Sequence, residues 1–389
     1  MKIAINIQRE SLGGITASNI NLINYLYGSD INFVGIEINS RVYTKSALLF
    51  RNYSPEIFDH HIINAHHLPL KKGIEKCKNL KELKSYFQET IDLVQNILQE
   101  TKPDIVLVSG TYFVPWIISI AAKKEKIPIV LWYAGILAKE TENYKTSIRK
   151  LFLAMERSIL KKAEKIIFPS SLCKETVEKI VAKNKLKNAF VVPNPVAPKF
   201  SEPCAIDHSA SKKIAAIGRY SKIKNFGKFF DLHKNLIKQG WDHMATFVTS
   251  PGPDSQTPPN SINVVPPMDQ ENLKKFYTSQ GLIVCPSSFE TFGNVPMEAA
   301  SLGIPVLVNE NMGCAEVLKK AKLGHMVISF DDLDKVTERV KKLCGKSISP
   351  HSLFKLKKIL DERRIGERIA NIIKSIDPKI KHNKKKFNT

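Results

Sequence analysis

Glu290 and Glu298 stand eight residues apart in Phe289-Glu290-Thr291-Phe292-Gly293-Asn294-Val295-Pro296-Met297-Glu298-Ala299. The apolar run from Leu282 to Cys285 before them, broken by Pro286-Ser287-Ser288, has the length and ending of a short buried parallel strand. Glu290 is therefore expected at the carboxyl end of a strand. Gly293 permits a tight turn, and Pro296 has the fixed φ suited to the first turn of a helix running to about Leu302, with Gly303 as its stop and Pro305 beyond. The unpaired amides of Asn294 and Val295 would then point above the sheet, and helix N-termini favour anions, phosphate above all. Glu298 falls in that first helical turn. One acid on the loop and one on the helix can bracket a phosphorylated ligand, each accepting hydrogen bonds from hydroxyl groups.

Cations follow an earlier strand. Ile214–Ile217 leads straight into Gly218-Arg219-Tyr220-Ser221-Lys222-Ile223-Lys224-Asn225. Arg219 offers a planar fork for phosphate oxygens and Lys224 a mobile point charge, a pair able to neutralise a diphosphate approaching strand ends. Gly13-Gly14-Ile15 sits between the first strand and a helix opened by Thr16, where glycine lets backbone come close to a ligand. A plain tight turn is an equal reading of that pair, which lacks the spaced G-x-G-x-x-G of dinucleotide binding.

The paired glutamates, with Glu298-Ala299-Ala300-Ser301, Gly303-Ile304-Pro305-Val306 and Gly313-Cys314-Ala315-Glu316 after them, closely resemble the E-x7-E segment of family-4 glycosyltransferases. The Gly218–Asn225 segment is similar to that family's G-R…K-N landmark. The resemblance implies a GT-B fold, two Rossmann-like domains with a cleft between them, whose last helix crosses back onto the first domain. It also implies a retaining hexosyl transfer from a nucleotide-sugar, of UDP- or GDP-hexose type, to an acceptor hydroxyl in cell-surface glycan or glycolipid synthesis. Catalytic roles fall on Glu290, Arg219 and Lys224. Donor contacts fall on Gly13, Gly14, Arg219, Lys224, Phe292, Gly293, Asn294, Val295 and Glu298, with Glu298 on the ribose and Glu290 on the sugar. No metal and no cofactor is expected, because Arg, Lys and helix dipoles replace a divalent ion at the departing diphosphate. The chain departs from the family at Leu131-Trp132-Tyr133-Ala134-Gly135, where many members carry a histidine near the donor sugar. Either Tyr133 substitutes for it or the sugar is held differently.

The elements that must position these residues alternate along the chain. Candidate strands are Lys2–Ile7, Asn32–Ile38, Ile105–Val108, Ile129–Trp132, Lys165–Phe168 and Phe190–Val192, then Ile214–Ile217, Ala245–Val248, Ile262–Val265, Leu282–Cys285, Val306–Val308 and His325–Ile328. Helical periodicity fills the gaps, as in Leu80–Gln99, Arg149–Lys162, Asn225–Lys238 and Leu333–Leu343, which predicts two parallel α/β domains wound from βαβ units. The boundaries read as residues 1–196 on the acceptor side, a linker at 197–211, a nucleotide-sugar domain at 212–360, a returning helix at 361–378 and a basic disordered tail at 379–389.

A length of 389 residues exceeds a usual single core, and a hydrophobic content of 43% is that of a globular protein. No apolar stretch reaches the roughly 18 residues a membrane span needs, and no signal peptide precedes the first strand. Six scattered cysteines without a C-x-x-C pair point to reduced thiols and a cytoplasmic setting. The net charge of +22 draws the chain to anionic surfaces and invites peripheral docking on the inner face of a membrane, through Lys145, Arg149, Lys150, Lys161 and Lys162 and the tail lysines Lys384, Lys385 and Lys386. Nucleic acid is set aside, since no stacking aromatics or recognition helix accompany the charge. His60, His61, His66 and His67 form an H-H-x4-H-H cluster without cysteine and read as a surface loop rather than a metal site. Two alternatives stay open: a nucleotide-sugar epimerase of the same fold, and a non-catalytic partner subunit. The first would need acids and histidines in the first domain; the second is disfavoured by an intact Arg219, Lys224, Glu290 and Glu298 set.

Overall fold

The computed structural model describes residues 1–7, 14–26, 30–39, 59–65, 76–202, 211–250 and 256–376. The chain divides into two compact units, Met1–Val192 with Arg363–Thr389, and Pro193–Glu362.

The first unit is built on β1 (Lys2–Asn6), β2 (Asn32–Asn39), β3 (Asp59–Asn64), β4 (Ile105–Ser109), β5 (Ile129–Trp132), β6 (Lys165–Phe168) and β7 (Ala189–Val191), in the sheet order β3-β2-β1-β4-β5-β6-β7. All pairs are parallel. Ile3, Ile5, Leu107 and Val130 are fully buried, as expected of strands covered by helices on both faces. The second unit carries β8 (Lys213–Ile217), β9 (Met244–Val248), β10 (Ile262–Val265), β11 (Leu282–Cys285), β12 (Val306–Asn309) and β13 (Val327–Ile328), ordered β10-β9-β8-β11-β12-β13 and also parallel. Each sheet reverses its winding once, between β1 and β4 and between β8 and β11. Such switch points leave a crevice at the strands' carboxyl ends, where open α/β sheets take their ligands.

The chain returns to the first unit through the helix Glu362–Lys374, whose Ile365, Ile369 and Ile373 join the core of Ile3, Ile5 and Ile23. Gly366 makes this docking close: a Cβ there would lie 2.0 Å from the ring of Tyr25. Lys374 adds an ion pair to Asp30 at 2.8 Å.

Several expectations are revised. The expected helix Leu80–Gln99 is two helices, Leu80–Tyr86 and Gln88–Thr101, parted at a buried Phe87. The linker expected at 197–211 begins inside the second unit, since Ala197 and Phe200 are buried in its core and Phe200 meets Tyr277 edge-on at 5.8 Å. His60 and His61 lie on β3 rather than on a loop; His60 approaches the buried Glu37 of β2 at 3.0 Å and His61 its neighbour Asp59 at 3.1 Å. Polar side chains in an edge strand hid it, because half of its residues face water. His66, His67 and the 379–389 tail lie outside the described residues.

Candidate functional site

At the switch point of the second unit, β8 ends in Gly218, held at φ +152° with its amide on Val248 O (3.0 Å) and its carbonyl accepting from the Thr249 hydroxyl (2.8 Å). A side chain there would strain the backbone and press on the Phe226 ring at 3.2 Å. The chain leaves this turn with Arg219 exposed, then forms a single 3-10 turn, Lys222–Lys224, closed by Asn225 at φ 52°.

The loop after β11 is stitched onto that turn. Ser288 donates to Ile223 O through both its amide (2.8 Å) and its hydroxyl (3.1 Å), and Lys224 Nζ reaches Glu290 Oε1 at 2.7 Å. The Ser287 hydroxyl donates to the same oxygen at 2.6 Å. Glu290 is also fixed by its backbone, which forms a parallel bridge with Met312 and bonds Asn311 O (3.2 Å) and Gly313 N (3.0 Å). Burial alone would lower the Lys224 pKa; the Glu290 charge and hydrogen bond outweigh it, and the ammonium titrates above its ordinary value. Arg219 lies near enough to oppose that charge, and among the described residues no carboxylate pairs with it. The cluster therefore holds two cations against one anion, a net positive site at the strand ends.

The helix following Glu290 runs Asn294–Ser301, two residues earlier than Pro296 marks, so Glu298 is its fifth residue rather than part of its first turn. Gly293, at φ +109°, caps it where a Cβ would sit 3.0 Å from both Cys314 Sγ and Met312 Cε. Among the described residues no acceptor meets the amides of Asn294 and Val295, as is usual for a helix start. The Asn294 side chain is held by Asn194 Nδ2 at 3.1 Å. Glu298 accepts from the Tyr277 hydroxyl at 2.9 Å, and desolvation lifts it to about 7, only partly offset by that hydrogen bond. The Phe292 side chain is buried in the core, and its carbonyl takes the Cys314 amide at 2.7 Å.

Arg219, Lys224, Glu290, Gly293, Asn294, Val295 and Glu298 thus share the two loops of one switch point. Sequence reasoning missed Ser287, Ser288, Tyr277 and Asn194. The serines read only as strand breakers, and Tyr277 sits in an amphipathic helix, Gln270–Thr278, with no local mark of its role.

In the first unit, Gly14 opens the helix Gly14–Leu26 and Gly13 lies outside the described residues. Tyr133 does not stand in for the absent histidine. It is fully buried, with its hydroxyl donating inward to Glu156 Oε1 at 3.1 Å.

The profile described as Glycosyltransferase Family 4 matches residues 48–200, and that described as Glycosyl transferases group 1 matches residues 255–356. The chain belongs to the family-4 glycosyltransferases. Among curated relatives of this family-4 chain, an uncharacterized 41.2 kDa protein of the cps region of Klebsiella pneumoniae is 28% identical over 49% of this chain and 54% of its own. An amylovoran biosynthesis glycosyltransferase of Erwinia amylovora is 28% identical over 34% of this chain and 41% of its own. The matches thus span about half the length of these relatives. Among solved structures, a sucrose-phosphate synthase from Thermosynechococcus elongatus superposes with a TM-score of 0.74 at 13% identity, covering 97% of this chain and 99% of that one. A lipopolysaccharide outer core galactosyltransferase gives 0.64 at 18% identity, with 96% and 99% covered. These neighbours share the GT-B fold expected from the sequence.

Proposed function

We propose that this chain is a retaining hexosyltransferase that moves a sugar from a UDP- or GDP-hexose to an acceptor hydroxyl in surface polysaccharide or glycolipid synthesis. The observation that carries it is the switch-point cluster itself, an exposed Arg219 beside the Lys224–Glu290 pair with Glu298 on the next helix. A donor diphosphate takes over Lys224 from Glu290 and engages Arg219 and the amides of Asn294 and Val295. These groups then stabilise the charge that gathers on the leaving diphosphate, where it develops. Glu290, released from Lys224, accepts from a sugar hydroxyl, and Glu298 accepts from the ribose. No protein nucleophile is assigned, since family membership favours a front-face path in which the leaving phosphate helps deprotonate the acceptor.

The polysaccharide assignment rests on the cps-region and amylovoran relatives. Among the described residues no helix is long and apolar enough to cross a membrane. For reaching an anchored acceptor we propose reversible docking on anionic lipid by one end of the helix Thr146–Lys162. Lys145, Arg149 and Lys150 are exposed there beside Tyr112 and Tyr144, the two exposed rings packed on Phe152. Lys161 and Lys162 sit at the far end, roughly 16–25 Å away. Lys162 is half-buried on Ser158, with burial lowering it to about 8.

A thermal-shift screen of UDP- and GDP-hexoses tests the donor reading: stabilisation by one nucleotide class supports it, and no shift with any of them refutes it. Co-sedimentation tests the docking, with binding to anionic but not neutral vesicles that fades with salt as the expected result. Equal binding to both, or none at low salt, would leave the charge as a solubility feature.

A further inference from the structure

At the amino ends of the second unit's strands, away from the loops after β8 and β11, two imidazoles and a hydroxyl form one hydrogen-bonded chain. Gly240, at φ +68°, ends the helix Gly227–Lys238 and turns the backbone so that Trp241 and His243 lead into β9, while Ser261 immediately precedes β10. His233, on that helix, is buried. Its Nδ1 lies 2.9 Å from His243 Nε2, and its Nε2 lies 2.7 Å from Ser261 Oγ. His243 Nδ1 closes the chain on Trp241 O at 2.8 Å. All four residues belong to the one unit Pro193–Glu362.

The far end fixes the tautomers. A carbonyl can only accept, so His243 Nδ1 carries a proton and, in the neutral ring, His243 Nε2 is an acceptor. His233 then donates through Nδ1, which leaves its Nε2 to accept from the Ser261 hydroxyl. The same heavy atoms also suit the product of two proton shifts, from Ser261 to His233 Nε2 and from His233 Nδ1 to His243 Nε2. No side chain has to turn. Burial and the neighbouring His243 hold His233 down at about 4, so a proton taken from Ser261 is passed on rather than kept.

The two ends of the chain suit these roles. Ser261 is exposed, and His243 is half-buried with its ring stacked on Trp241 at 5.0 Å and 24°. A charged His243 is therefore met twice by Trp241, through its carbonyl and through the face of its ring. A tie between the amino ends of β9 and β10 needs neither a solvent-facing nucleophile nor a place for a proton.

We propose that Ser261, His233 and His243 form a nucleophilic relay that takes acyl groups from small activated esters, a second reactivity of this chain that does not rest on sugar transfer. Ser261 Oγ attacks the ester carbonyl as its proton passes to His233 and the Nδ1 proton of His233 passes to His243. The Oγ–C bond forms. When the tetrahedral adduct collapses, the ester C–O bond breaks and the protons run back, so that His233 Nε2 returns one to the leaving oxygen. Water attacks the acyl-serine along the same path, which releases the acid and restores the Ser261 hydroxyl. With its nucleophile at the surface, the relay fits small esters of acidic alcohols, which carry their own activation.

The test is acetylation by p-nitrophenyl acetate, resolved residue by residue by mass spectrometry, in the unaltered chain, Ser261→Ala and His243→Gln. Ser261 of the unaltered chain should be acetylated at least about 100-fold faster than the exposed Ser211, and the burst of p-nitrophenol should vanish in Ser261→Ala. In His243→Gln the new amide oxygen still accepts from His233 but takes no proton. That variant should keep its melting temperature and acetylate Ser261 about 100-fold more slowly, a separation that a purely structural tie would not give. Acetylation of Ser261 no faster than that of Ser211, or a burst that survives in Ser261→Ala, would overturn the nucleophile; the first is read in the unaltered chain even where a variant does not fold. An unchanged rate in a folded His243→Gln would overturn the relay. None of these outcomes bears on the hexosyl-transfer reading, whose residues lie at the other ends of the strands.

Discussion

The carboxyl ends of the two sheets are furnished in opposite ways. In the second unit the loops after β8 and β11 carry an exposed Arg219 and the partly buried Lys224–Glu290 pair, and the loops are joined by that pair and by Ser288. In the first unit Thr111 and Tyr133, from the loops after β4 and β5, turn their hydroxyls inward onto Glu156 beside the amides of Leu137 and Ala138, while Tyr112 in the first of these loops is exposed. Charged side chains suit a ligand part that is common to many donors, a diphosphate.

The largest effect that can break this contrast lies in the second unit. Arg219→Ala and Lys224→Ala should each cost about 2–4 kcal/mol in kcat/KM, the scale of a lost transition-state charge contact. Near-normal turnover by both folded variants would remove the charged half of the comparison. Next comes the division between the two acids. Glu298→Gln should weaken UDP or GDP binding by roughly 1.5–3 kcal/mol, the scale of a hydrogen bond to a charged group, whereas Glu290→Gln should spare that affinity and lower transfer. Because Glu298 is lifted to about 7, nucleotide affinity should fall as pH drops through that value in the unaltered chain and lose this dependence in Glu298→Gln. Equal losses in the two variants would show that the acids act as one.

A smaller effect separates the units themselves. Gly366→Ala places a methyl against Tyr25 and should destabilise by about 1–3 kcal/mol, as overpacking does, with UDP or GDP affinity unchanged. The smallest is a pH trend in the empty chain. Glu156 and Glu298 both titrate near 7 when folded, above the ordinary 4.5, so the native state holds protons that the unfolded chain releases. Their contribution to stability is present below 4.5 and is lost as pH rises through about 7, the reverse of the trend for nucleotide binding. A melting temperature whose fall between pH 6 and 8 is reduced in Glu298→Gln checks the sign.

The same contrast explains what the sequence discloses. The charged half is legible because its residues follow strand ends directly and in motif order: Gly218 and Arg219 after Ile217, and Glu290 and Gly293 before Pro296. The strands of both sheets are legible because parallel strands buried on two faces read as short continuous apolar runs, as at Leu282–Cys285. β3 is not, since an edge strand reading Asp59-His60-His61-Ile62-Ile63-Asn64 carries the composition of a loop. Glu156 is the least legible. It sits in a helix whose other face is basic, and its partners Tyr133, Leu137 and Ala138 are drawn from 18 to 23 residues upstream. The alternative in which Tyr133 substitutes for a histidine rests on position alone, and its burial shows that position in the chain does not fix the direction of a side chain.

The most direct measurement is calorimetric titration of UDP and GDP into the unaltered chain and into Lys224→Ala. A nucleoside diphosphate site at the β8–β11 switch point predicts saturable binding of one of them to the unaltered chain, reduced at least tenfold in affinity once Lys224 is removed, about 1.4 kcal/mol. Binding that is the same in both, or that neither chain shows, would contradict it.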